Sequence, residues 1–102
     1  MKPSRCGGLY PARRQIDLLE DSGLMFLGSG LTDPDVALSA SLALFGAYNL
    51  SFPAALNGPQ FLDYSVLKSP LIPQGGKIPI PQGTGLGVAV DPEKIKPILT
   101  DL

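Results

Sequence analysis

Residues 24–35, Leu-Met-Phe-Leu-Gly-Ser-Gly-Leu-Thr-Asp-Pro-Asp, pass from an unbroken apolar run through two glycines to a helix-start signal. Leu24 to Leu27, bounded by Gly23 and Gly28, has the profile of a strand buried on both faces, as parallel strands are. Thr32 or Asp33 then caps a helix with Pro34 at its first position, running to about Ala47. Only Asp35, Ser39 and Ser41 are polar in that helix, so it needs neighbours on more than one side. Just upstream, Tyr10 to Asp21 reads as an amphipathic helix. Pro11 suits its first turn, Ala12, Ile16 and Leu19 recur at i, i+4 and i+7, and Gly23 ends it. Helix, short apolar strand and helix in this order predict repeating βα units.

Charge is distributed unevenly along the 102 residues. Between Ser22 and Leu62 the only charged side chains are Asp33 and Asp35, where a soluble stretch of 41 residues ordinarily carries about ten. Such a stretch makes little surface, and it reads as the interior of something larger. Asp33 and Asp35 read as helix-capping and first-turn charges rather than metal ligands. Eight basic residues against nine acidic ones, with no basic residue between 15 and 67, form no stripe for nucleic acid. The absence of histidine removes His-ligated metals and Ser-His or Cys-His pairs, and the lone Cys6 excludes an internal disulfide and reads as a small buried side chain. The longest apolar run, Val36 to Tyr48, is too short for a bilayer, and no signal peptide is apparent. The expectation is a cytoplasmic chain without membrane or nucleic-acid partners.

The chain after residue 50 is rich in breakers. Ser51 to Leu56 suits another short strand, and Asn57-Gly58-Pro59 a turn. Ile72-Pro-Gln-Gly and Ile80-Pro-Gln-Gly form a near-repeat inside a proline-rich stretch that cannot be a central strand. Gly83, Gly85 and Gly87 approach a phosphate-loop spacing, but no helix opens after them and no Gly-Lys-Ser/Thr follows, so a structural loop is expected. Asp91-Pro92-Glu93 starts a helical turn or two, which Pro97 keeps short.

Taken in order, Lys2-Pro3-Ser4-Arg5-Cys6-Gly7-Gly8-Leu9, Leu27-Gly28-Ser29-Gly30-Leu31, Leu56-Asn57-Gly58-Pro59 and Ile78-Pro-Ile-Pro-Gln-Gly-Thr-Gly-Leu-Gly87 resemble the C-terminal third of the enolase superfamily. The likeness is to the muconate-lactonizing-enzyme subgroup, which includes o-succinylbenzoate synthases and dipeptide epimerases. It implies an α/β fold: the C-terminal part of a (β/α)7β TIM-type barrel, β-α-β-α-β over residues 1–62, followed by an irregular Pro/Gly-rich extension over 63–102. It also implies that the reading frame starts at an internal methionine.

The same resemblance implies roles. Lys2 matches the lysine ending the sixth strand, a general acid or base on the carbon beside a carboxylate. Gly28, Ser29 and Gly30 match the end of the seventh strand, and Asn57 the end of the eighth, both lining the pocket for a small carboxylate substrate. The family's magnesium ligands and Lys-x-Lys motif lie upstream of this chain, so no cofactor is expected within it. Ala55-Leu56-Asn57 replaces the Asp-x-Asp of dipeptide epimerases, and Thr32 or Asp33 replaces the glutamate common after strand seven. The expectation is a C-terminal fragment of a magnesium-dependent lyase or racemase, of o-succinylbenzoate synthase or acid-racemase type. Alone it is inactive, and it self-associates or needs the missing barrel half. The alternative is a small non-catalytic binding protein built on a half-barrel.

Overall fold

The computed structural model describes residues 1–99. Two helices carry the architecture, α1 (Leu9–Asp21) and α2 (Asp35–Ala47); a short α3 (Pro92–Ile95) and 3-10 turns at Pro3–Arg5, Pro59–Phe61 and Lys96–Ile98 complete the set. The end of α1 follows from Gly23. At φ +64° it lets its own N–H reach Glu20 O and the Leu24 N–H reach Leu19 O at 2.8 Å, so two terminal carbonyls are satisfied. The side chains of Ala12 and Ile16, at the expected spacing, are buried against Leu44 and Phe45 of α2. Burying a side chain the size of Ile16 stabilises by about 2–3 kcal/mol.

The helix that is apolar all round has neighbours on two sides. Leu44 and Phe45 meet α1, while Leu38 and Leu42 pack with Leu67 and Leu71 of the later chain. That later chain is held by a short antiparallel pairing. Lys68 N–H donates to Ala89 O, Asp91 N–H donates to Val66 O, and Lys94 Nζ donates to Leu67 O at 2.6 Å. Of the two Ile-Pro-Gln-Gly copies only the first makes a hairpin. Gly75 and Gly76, at φ +57° and +74°, turn the chain between bridged Gln74 and Lys77, as a two-residue primed turn requires. The glycine loop is structural: the Gly87 N–H donates to Thr84 O, and a Cβ on Gly87 would lie 2.9 Å from the Pro81 carbonyl. Asp91 accepts the Glu93 N–H at 3.0 Å and so caps α3, which gives way to a 3-10 turn at Lys96–Ile98 around Pro97.

The expected strands are reduced to three extended segments. The Met1 amine donates to Leu27 O at 2.7 Å and the Ser29 N–H to Met1 O at 2.9 Å; on the other side the Ala55 N–H donates to Gly28 O and the Gly30 N–H to Ala55 O. Both pairings are parallel, and Ser29 and Ala55 form a parallel bridge. Each flanking segment contributes one ladder residue, so the β-α-β-α-β order survives as direction and register but not as named strands among the described residues. Burial on both faces also needs correction. Phe26 packs on the helix layer, whereas Met25 is 69% exposed and Leu27 54%. Successive side chains of extended chain alternate faces, and Met25 and Leu27 on the face opposite α1 and α2 are left uncovered among the described residues. No helix among the described residues is long and apolar enough to cross a membrane.

Candidate functional site

Register decides which side chains share a face. Met1 and Gly28 stand level and point to the helices, where a Cβ on Gly28 would lie 3.0 Å from both Phe45 Cε2 and Leu50 Cδ1. Ala54 and Leu56 also point to that layer. The intervening residues Lys2, Ser29, Ala55 and Asn57 therefore face the open side. The ends bearing Lys2, Ser29 and Asn57 coincide: the Gly30 N–H reaches Ala55 O, and two residues beyond Ala55 the Asn57 carbonyl accepts the Asp33 N–H at 3.1 Å.

Lys2 is tied into this corner. Its Nζ donates to Gly30 O at 2.6 Å, while Ser29 Oγ lies 3.5 Å from Met1 O. Lys2, Ser29 and Asn57 are half-buried, so each retains access to solvent. Gly28 and Gly30 are themselves buried, and only the Gly30 carbonyl touches Lys2. A separate cleft of about 350 Å3, lined by Leu24, Phe26, Tyr48 and Phe52 among others, includes none of these five residues.

The corner behind Gly30 differs from the sequence expectation. Neither Thr32 nor Asp33 caps α2: its N-cap is Pro34, without a side-chain hydrogen bond. Thr32 has φ +62°, uncommon and strained for a β-branched residue, and the turn it makes tucks Asp33 under the segment ends. Asp33 is 4% exposed and Asp35 2%, so the only two charges between residues 22 and 62 are both buried. Asp33 Oδ1 accepts a long 3.4 Å hydrogen bond from Ser4 Oγ, and Asp33 Oδ2 and Asp35 Oδ1 have no partner among the described residues. A Cβ on Gly30 would lie 2.6 Å from Asp33 Oδ2, and one on Gly58 would lie 1.8 Å from Asp33 O. Glycine at 58, which meets backbone, is thus a packing requirement, while a side chain at 30 would make the Asp33 carboxyl turn aside. Asp33 was readable as a cap and missed as a junction; the available signal was an isolated charge in a long uncharged stretch, flanked by those glycines.

On the helix layer, Tyr48 at the end of α2 donates its hydroxyl to Asp17 Oδ1 of α1. The Asp17 carboxylate, and secondarily burial, hold that phenol above its ordinary range. This contact joins the helices far from Lys2 in the sequence and performs no evident chemistry. No three His, Cys, Asp or Glu side chains among the described residues are grouped to hold a metal ion.

Comparison with known proteins gives this geometry a family. N-succinylamino acid racemase of Amycolatopsis sp is 30% identical over 100 residues, which are 98% of this chain and 27% of that enzyme. Muconate cycloisomerase 1 of Acinetobacter baylyi is 30% identical over 97 residues, 94% of this chain and 26% of the relative. Among solved structures, muconate lactonizing enzyme from Klebsiella pneumoniae superimposes with TM-score 0.82 at 23% identity, over 94% of this chain and 27% of that one. The 2-chloromuconate cycloisomerase from Rhodococcus opacus 1CP gives TM-score 0.79 at 31% identity, covering 93% and 26%. The chain therefore spans about a quarter of the length of the relatives it matches, and its fold is a fragment of the enolase-superfamily barrel. Because the family description Enolase C-terminal domain-like matches residues 1–94, the chain belongs to that family.

Proposed function

We propose that this chain is the C-terminal segment of an enolase-superfamily isomerase, racemase or lyase that removes the proton beside a carboxylate, and that it is inactive alone. Lys2 is the acid–base group in this reading. Ser29 and Asn57 line the substrate end from the open face, Gly30 contributes its carbonyl, and Gly28 allows the second segment to lie against the helices. The observation that carries the reading is the convergence of Lys2, Ser29 and Asn57 on one face, at one end of parallel segments, with the Lys2 ammonium already held at 2.6 Å on a backbone carbonyl. A proton-transfer group must lie within hydrogen-bond reach of its target, and an amine held beside an open face is placed where a substrate can come within that reach. A small carboxylate substrate of o-succinylbenzoate synthase or acid-racemase type is the finer part of the proposal.

The family's magnesium does not fit the residues present. The two buried carboxylates, Asp33 and Asp35, flank the start of α2, and no third donor joins them among the described residues. The apolar open face requires cover, supplied by the remaining barrel in an intact enzyme and by further copies of the chain when it stands alone.

The test joins residues 1–102 to the upstream three quarters of the Amycolatopsis racemase and follows deuterium incorporation from heavy water into an N-succinylamino acid. Exchange that disappears in the folded Lys2→Ala hybrid supports the assignment. Exchange that persists in that variant, or a folded hybrid that exchanges nothing, refutes it.

A further inference from the structure

Two features that lower stability meet directly behind Lys2. Thr32 is held at φ +62°, a left-handed backbone conformation that strains a β-branched side chain. Asp33 is buried to within 4% of full enclosure, with one carboxylate oxygen unpartnered among the described residues and the other reached only by a 3.4 Å contact. A buried polar atom without a hydrogen bond is a net loss to the folded state. Packing does not explain this residue, since an apolar side chain of similar size would fill the same space without desolvating a charge.

Its connections suggest what it does. Asp33 stands at the ends of all three extended segments: Oδ1 accepts from Ser4 beyond the first, Oδ2 lies 2.6 Å from where a Cβ on Gly30 of the second would stand, and its N–H donates to Asn57 O of the third. On the far side of the Gly30 peptide, the carbonyl holds Lys2 Nζ at 2.6 Å. Lys2 and Asp33 make no direct ion pair; those among the described residues are Arg13–Asp17 and Lys96–Glu93. A carboxylate on the buried side of that peptide would attract an amine in front of it more than a solvated carboxylate does, because the buried side is screened less than water.

We propose that Asp33 is a positioning residue for Lys2. It acts through Gly30, orienting that peptide so its carbonyl holds the ammonium on the open face and adding a fixed negative charge behind it. The proposal rests on the reading of Lys2 as the working amine, but its test does not use activity. The folded chain is treated briefly with an amine-acylating reagent, and modification of Lys2 is measured by peptide mass spectrometry relative to Lys68, which is exposed. Asp33→Asn and Asp33→Ala are compared with the unmodified sequence, each with a thermal melt. The expected result is a Lys2-to-Lys68 ratio raised about three- to tenfold in both variants, the change that loss of one hydrogen bond produces, with the melting temperature unchanged or raised. An unchanged ratio in the folded variants overturns the proposal. So does loss of the fold in both, which would make Asp33 a structural residue. Failure of the deuterium-exchange test with success here would remove the enzymatic reading and leave the Asp33–Lys2 coupling in place.

Discussion

Replacing Gly58 by alanine tests the junction at Asp33 most severely. An added Cβ would stand 1.8 Å from Asp33 O, 2.8 Å from Asp33 C and 3.0 Å from Asp33 N, all backbone atoms. Real Cβ contacts essentially never fall under 3.0 Å, so one of the two strands of chain must withdraw by about 1.2 Å, the difference between 3.0 and 1.8 Å. That movement acts on the Asp33 N–H bond to Asn57 O and on the Phe61 N–H bond to Gly58 O, 3.1 and 2.8 Å long. Losing both hydrogen bonds and straining the packed corner costs roughly 3–5 kcal/mol. For a domain of this size each kcal/mol is worth about 4–8 °C, so the melting temperature falls by at least ~12 °C. Gly46→Ala is the control. There the Cβ meets Ile80 Cδ1 at 2.2 Å, but that atom is the far end of a side chain that can rotate, and alanine in a helix gains about 1 kcal/mol over glycine. The assay is thermal and urea unfolding followed by circular dichroism. A Gly58→Ala chain melting within about 3 °C of the parent, or Gly46→Ala as damaging as Gly58→Ala, would refute the placement of residues 57–58 over Asp33.

Leu38→Ala, at a fully buried position packed with Leu42, Leu67 and Leu71, lowers the unfolding free energy by about 2–5 kcal/mol in urea titration, and the later chain loses its protection from proteolysis first. Tyr48 is raised above 10 mainly by its hydrogen bond to Asp17, so it favours the folded state below the unfolded phenol's pKa and loses that contribution as pH climbs through its own. Melts between pH 8 and 12 should therefore show an alkaline loss that Tyr48→Phe reduces. The isolated chain should self-associate through Met25, Leu27 and Phe52, all exposed, and the double variant Met25→Ser/Leu27→Ser should lower the apparent mass by light scattering. A monodisperse, cooperatively melting parent chain would count against the fragment reading.

Both main helices were legible in the sequence because their signals are local. The i, i+4 spacing of Ala12 and Ile16, the glycine after α1 and Pro34 before α2 act within a few residues of each other. The scarcity of charge from 22 to 62, with Asp33 and Asp35 alone, was likewise legible by composition, and Met25 and Leu27 of that stretch are exposed. The helix start at Asp91 and the stop at Pro97 were equally local.

Tertiary structure decided what depends on segments far apart in the chain. Met1, Gly28 and Ala55 are brought into register by backbone hydrogen bonds across 25 or more residues, and a slip of one residue would send Lys2 or Ser29 to the helix side. Strand length was decided the same way: an apolar run becomes ladder only where a neighbour is present, and here each flank supplies one residue. Asp33 and Asp35 read as capping and first-turn charges, and their burial was not legible because nothing local distinguishes an exposed aspartate from a buried one. Ser4, Gly30 and Gly58 surround Asp33, and Asp35 lies on a cleft shared with Pro59, Tyr64 and Leu71, groups that become neighbours only once the segments have packed.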